Sequence, residues 1–285
     1  MRKKSIVIDD LTILSPQEFA QQVQDQRQRQ QALQFLILMP CLDTQVDASE
    51  VQLVNAYRAA LQLAPHTLKS LQLVSDRKFW QLLLGFTWRM IAHTYPGLGF
   101  WQKTKFVFSG IRQYWGDAKI VQLYQALSSL SKATLGRELY DYYRDCHLPL
   151  PGEPKSANEL IIGHDLVHVL SGIGTDKEGE ITVAGFEAGM SRSEFGFELL
   201  LKSILDFHLA LKPPTIMGIL DSGHNHLNPS ALMQAYSRGL QMQFDTLDPT
   251  WDFRAVFDQP ISTLRPLHQQ PDQISGQCET CQIPK

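Results

Sequence analysis

Helix starts recur along this chain, and almost nothing in it reads as strand. Ser15-Pro16-Gln17-Glu18 is a capping box. The Ser hydroxyl and the Glu carboxylate can each accept from the other residue's backbone N–H, and Pro at the first helical position gives up a donor that has no partner there. Pro40 should close the segment so opened. Asp47 with Glu50 predicts a second start, continued by Val51, Val54, Tyr57 and Leu61 at helical spacing. Ser156 with Glu159 predicts a third and Asn228-Pro229 a fourth. Alternating Val, Ile and Thr between turn dipeptides, the mark of a half-buried strand, is nearly absent. The chain is therefore expected to be all-α, a compact multi-helix bundle. The Gln-rich stretch fits too. Nine of the eighteen residues from Gln17 to Gln34 are Gln, a good helix former, so one solvated helix is expected there rather than a low-complexity tail.

With 285 residues, 44% of them hydrophobic and 19% charged, the chain can build a sizeable core and is not disordered in composition. Its formal charge of −3 lacks the basic excess of a general nucleic-acid binder, so no nucleic-acid partner is expected. Cys41 and Cys146 stand alone, and only Cys278 and Cys281 are close. A lone Cys-x-x-Cys without a second pair reads as part of a flexible terminus. The basic N-terminus meets Asp9 and Asp10 before any apolar segment develops. The longest apolar run, Phe35 to Met39, falls far short of the roughly 20 residues that span a bilayer. These features predict a reduced, cytoplasmic chain without a signal peptide or transmembrane segment.

One stretch stands apart. Phe79 to Trp115 holds Trp80, Trp88, Trp101 and Trp115 and four basic residues, Arg89, Lys103, Lys105 and Arg112, with no Asp or Glu. Two amphipathic helices turning at Pro96-Gly97 and burying their aromatics would give this pattern. A face lying on the membrane–water interface would give it as well.

The chemistry is concentrated in His164-Asp165-Leu166-Val167-His168 and the residues that follow. Two His four apart project from one helix face at metal-sharing distance. Asp165 is one step round that helix, where it can reach a shared ion or orient a ligand from behind. Gly172, Gly174 and Gly179 can turn the chain, so that Glu180 opens a second helix facing the first and adds a carboxylate from the other side. Two imidazoles with carboxylates suit a borderline divalent ion such as Zn, Fe or Mn better than Ca. Glu187, seven residues on, is a candidate acid behind the ligands. Glu194 continues the same spacing, but Gly189 and Ser191-x-x-Glu194 predict that the helix breaks and leaves Glu194 as a cap. His224-Asn225-His226 lies in a loop signature and is a weaker candidate.

Written as His-Asp-x-x-His, eleven residues, Glu, the motif from His164 to Glu180 resembles that of the ubiquinone (coenzyme Q) biosynthesis protein 4 family. Thr134-Leu135-Gly136-Arg137-Glu138, Ile181 to Ala188, Trp251-Asp252-Phe253 and Pro260 to Arg265 resemble flanking segments of the same family, so the likeness runs from about Asp117 to His268. The resemblance implies that His164, Asp165, His168 and Glu180 bind a divalent metal, zinc in that family, between two helices. It implies an all-helical protein held peripherally on the inner (plasma) membrane, acting on a prenylated quinone precursor beside other quinone-biosynthesis proteins. Its activity would be that of a metal-dependent, oxidative decarboxylase (a lyase) removing the C1 carboxylate of a polyprenyl hydroxybenzoate with hydroxylation there. Alternatively, it would be a non-catalytic prenyl-lipid-binding scaffold for the other enzymes. A homo-oligomer stays open. A third reading, a metal phosphohydrolase, would recruit His147 and Asp206. The expected organisation is a helical extension over 1–116 packed on the core, a family-like domain over 117–268 and a flexible tail over 269–285.

Overall fold

The computed structural model describes residues 13–42, 46–64, 68–97, 99, 101, 116–156, 159–191, 193–210 and 225–265. Among these the chain is α-helical and has no strand, with one isolated antiparallel bridge between Thr134 and Pro260. The all-α expectation holds. The tail over 269–285 lies outside the described residues, as do Cys278, Cys281, His224, Trp115, Lys103, Lys105 and Arg112. The chain divides into two compact units, Met1–Leu82 and Leu83–Lys285.

In the first unit the helices are α1 (Pro16–Gln22), α2 (Gln26–Leu38), α3 (Ala48–Ala60) and α4 (Lys69–Ser75). The Ser15 capping box forms as the sequence predicts, with Ser15 N–H donating to Glu18 at 2.8 Å and Glu18 N–H to Ser15 Oγ at 3.3 Å. The Gln-rich stretch departs from the single helix expected. Val23 is extended, and Asp25 caps a new helix by accepting from Gln28 N–H at 2.9 Å. An Asp side chain two residues past an extended residue offers the backbone a better start than Gln offers a continuation. Pro40 then sits in a short 3₁₀ turn, Met39–Cys41. Leu33, Ile37, Val51, Val54, Leu61 and Leu71 are buried here, as is Cys41, whose thiol burial pushes up to about 12, which makes it unreactive.

Helix α5 (Phe79–Thr94) contains the unit boundary. It buries Phe86 and Ile91 but leaves Trp80, Leu84 and Trp88, spaced four apart, exposed. Spacing of four places all three on one face. The Pro96-Gly97 turn is present, and Trp101 beyond it is exposed. Burial of the aromatics, one of the two expectations for this stretch, therefore fails for three of its tryptophans.

The second unit continues with α6 (Ala118–Ala126), α7 (Leu135–Asp145), α8 (Ile162–Ser171), α9 (Lys177–Met190), α10 (Glu194–Phe207), α11 (Pro229–Gly239) and α12 (Ile261–Leu264). Helix α9 is central: ten of its fourteen residues are buried, and it packs against α8, α10 and α11. Its composition explains how three helices surround it. Gly185 and Gly189 lie one turn apart, and a Cβ on Gly189 would sit 2.1 Å from the Tyr236 carbonyl oxygen, while one on Gly239 of α11 would sit 2.0 Å from that of Phe186. Backbone meets backbone at this crossing, where any other residue would collide. Gly189 itself stays within α9, and the break expected before Glu194 comes one residue later, after Met190. The helix runs on to Met190, and the cap of the next is Ser193, not Ser191, its hydroxyl accepting from Phe195 N–H at 3.3 Å. The Asn228 cap forms as expected, accepting from Ala231 N–H at 3.1 Å. The Ser156 box does not: a 3₁₀ turn, Glu159–Ile161, leads into α8 without a side-chain cap, and Ser156 Oγ accepts from Gly152 N–H instead.

Candidate metal centre

Helix α8 carries Asp165, Leu166, Val167, His168, Val169 and Leu170 in buried positions. An apolar helix of this kind has to bring partners for any polar side chain it takes inside. Its end is fixed by three devices. Gly172 adopts φ +70°, the left-handed conformation that closes a helix. Arg265 donates to the Leu170 and Val169 carbonyls at 3.2 Å each, and Arg238 donates to the Ser171 carbonyl. Burial lowers the pKa of both guanidiniums, and they place positive charge at the negative end of the helix. Nothing in local periodicity marks these two arginines; they lie 67 or more residues away along the chain.

The turn at Gly172 returns the Ile173 carbonyl to within 3.0 Å of His168 Nδ1. On the facing helix, Glu187 Oε1 lies 2.8 Å from His164 Nδ1. Both acceptors call for a hydrogen on Nδ1, and this leaves the lone pair on Nε2 of each ring. Those two Nε2 atoms are 3.3 Å apart. Glu180 adds its carboxylate from the first turn of α9, at 3.2 Å from His164 Nε2 and 3.5 Å from His168 Nε2. One ligand atom from each of His164, His168 and Glu180 falls within a span of 4.8 Å. Three acceptors converging on one point suit a cation, and the donor set fits a borderline divalent ion.

The electrostatics agree. Burial alone would lower the pKa of His164, but Glu187 and Glu180 outweigh it and hold the ring well above its usual range. Burial would raise Glu180, and the two imidazoles reverse this, bringing its carboxyl down to about 2. The site therefore attracts positive charge, whether a proton or a metal ion. His168 and Glu187 are almost fully enclosed, each side chain 1% exposed, whereas His164 keeps 25%. His164 is thus the most exposed member of the cluster.

Asp165 is buried beside the centre but is not one of the three converging groups. Its Oδ2 accepts from the Tyr143 hydroxyl of α7. Burial raises both this carboxyl and that phenol. Tyr142 lies over His168 with ring centroids 5.8 Å apart. Neither tyrosine was singled out by the sequence; a Tyr-Tyr pair on an amphipathic helix reads as core. Asp206 pairs with Lys202 and His147 sits in a turn after α7, so neither joins the cluster. Asn225 and His226 are not part of it either.

Neither a family model nor a curated protein matches this chain.

Proposed function

We propose that this chain binds a divalent metal, zinc or a redox-active ion such as Fe or Mn, and uses it in prenylquinone biosynthesis. There it would remove the C1 carboxylate of a polyprenyl hydroxybenzoate with hydroxylation at that carbon. The observation that carries the reading is the convergence of His164, His168 and Glu180 within 4.8 Å, with Glu187 and the Ile173 carbonyl holding the imidazoles from behind. His164, His168 and Glu180 are three of the four residues that the family-like motif singles out, on two facing helices, with the fourth, Asp165, buried beside them. A bound ion supplies a Lewis acid for a carboxylate or phenolate oxygen and, if redox-active, a path for electrons. The protein's part is to fix Nε2 of both imidazoles, to exclude water on the side of His168 and Glu187, and to admit a ring past His164. Loss of the carboxylate as CO₂ leaves its bonding pair on the ring carbon, where a proton can replace it without redox change. Replacement by hydroxyl removes two electrons and needs an external oxidant such as dioxygen.

Peripheral seating on a cytoplasmic membrane surface belongs to the same proposal. It is supported by the exposed Trp80, Leu84 and Trp88 of α5 and by Trp101, side chains that favour the interfacial zone. No helix among the described residues is long and apolar enough to cross a membrane. The test pairs metal analysis with lipid analysis. His164→Ala and Glu180→Ala should each lose the ion and cause a prenylated aromatic acid to accumulate and to co-purify with the protein. Loss of the ion with unchanged quinone output overturns the catalytic reading and favours a scaffold role.

A further inference from the structure

A cleft of about 430 Å³ opens in the second unit, within the range of small-molecule sites. Phe195, Trp251 and Phe253 give it aromatic walls. Two of these rings are held in place by stacking: Phe195 on His93, centroids 4.4 Å apart, and Trp251 on Phe244 at 4.8 Å. None of His164, His168, Glu180 and Glu187 lines it.

Its charges do not balance. Glu159, Asp248, Asp252 and Arg254 face the cleft, and Arg254 is taken by Glu159. The remaining acids are held by the backbone of their own turn. Asp248 Oδ1 accepts from the Thr250 N–H and hydroxyl at 2.8 and 2.7 Å, and Asp252 Oδ1 from Arg254 N–H at 3.1 Å. His93, the other ionisable base in the wall, is committed through Nε2 to the Leu247 carbonyl at 2.7 Å. A third observation is independent of charge. Thr246 is 6% exposed, and its hydroxyl has no hydrogen-bond partner among the described residues. A buried hydroxyl left unpaired is costly unless something bonds to it.

We infer that this cleft binds a small organic cation, an ammonium group on a compact apolar body. The body would lie against Trp251, Phe253 and Phe195, with the ammonium toward Asp248, Asp252 and the Thr246 hydroxyl. An anion would meet two carboxylates whose neighbouring bases, Arg254 and His93, are already engaged by Glu159 and the Leu247 carbonyl. A purely apolar ligand would leave the Thr246 hydroxyl unpaired. A cation satisfies the carboxylates and the hydroxyl lone pairs together, while its apolar body packs against the aromatic wall. The inference does not rest on the metal centre and goes beyond the function proposed for it.

Three probes of nearly equal size and different charge test this on the full chain by calorimetry: benzylammonium, benzyl alcohol and benzoate. Benzylammonium should saturate the protein and bind roughly three- to tenfold tighter than benzyl alcohol, the scale of two solvent-facing charge contacts, while benzoate should not saturate. Raising the salt concentration should narrow the gap. In the Asp248→Asn, Asp252→Asn double variant the preference should vanish with benzyl alcohol binding unchanged. Benzoate binding as tight as benzylammonium, no saturation by benzylammonium at millimolar concentration, or a preference that survives in the folded double variant overturns the inference. If that variant does not fold, the wild-type series alone decides. His164→Ala should leave all three affinities where they were.

Discussion

Glu187 offers the sharpest test of how the centre is built. Glu187→Gln keeps the shape of the side chain and an oxygen for His164 Nδ1, 2.8 Å away in the wild type, but removes the charge. A hydrogen bond to a charged acceptor contributes about 1.5–3 kcal/mol and a neutral one about 0.5–1.5. The exchange should therefore cost about 1.4 kcal/mol of imidazole orientation and basicity, or roughly tenfold in metal affinity. Solvent will not make up the loss, because the Glu187 side chain is only 1% exposed. Glu187→Ala removes the acceptor altogether, frees the ring to take the other tautomer, and should approach a hundredfold. The assay is competition for Zn²⁺ against a chromophoric chelator at neutral pH, with circular dichroism to verify that each variant is folded. A folded Glu187→Gln protein whose affinity stays within about threefold of wild type would refute the reasoning, because His164 would then need no partner behind it to act as a ligand.

Further outcomes follow from the same structure. His164 has a raised pKa in the metal-free protein, so an ion must displace its proton, and apparent metal affinity should climb as pH rises above about 6.5. For the metal-free fold, the raised His164 value contributes stability that is fully present below about 6.5 and lost as pH rises through the folded value, which melts across a pH series will register. Glu180, brought down to about 2, acts in the opposite direction, contributing above its usual carboxylate range and losing that contribution as pH falls toward 2. Gly189→Ala and Gly239→Ala would press a Cβ to within 2.1 and 2.0 Å of carbonyl oxygens and should each cost about 1–3 kcal/mol or more, lowering Tm by roughly 2–4 °C per kcal/mol; Gly174→Ala, with nothing within 4 Å, should change Tm little. Tyr143→Phe leaves the buried Asp165 carboxyl without that donor and should cost about 1–3 kcal/mol in chemical denaturation.

Local rules carried the sequence reading a long way. The Ser15, Asp47 and Asn228 caps need only a side chain and a backbone N–H two or three residues away, and all three form, whereas the Ser156 hydroxyl is taken by Gly152 N–H instead. The pairing of His164 with His168 is likewise a matter of helical spacing. Glu180 required one more step, a turn at the glycines, and Gly172 makes it. What stayed illegible depends on distant chain. Arg238 and Arg265 reach the end of α8 from far along the sequence, and Tyr143 meets Asp165 across a helix packing that no short window contains. The break expected before Glu194 does occur, after Met190, although Gly189 itself stays helical. Taken alone, glycine lowers helix propensity by about 1 kcal/mol, but its effect here is set by Tyr236 on another helix.

The contact of α9 with α11 has a mechanical consequence. Most helix pairs meet through an interdigitated layer of side chains. At Gly189 and Gly239 that layer is missing and backbone meets backbone, so a displacement of α11 bears directly on the α9 main chain. Glu180 and Glu187 ride on α9 and should shift together with it, as teeth on one bar. A ligand that tilts α11 would thereby alter the bite of the two carboxylates on His164 and His168 at once.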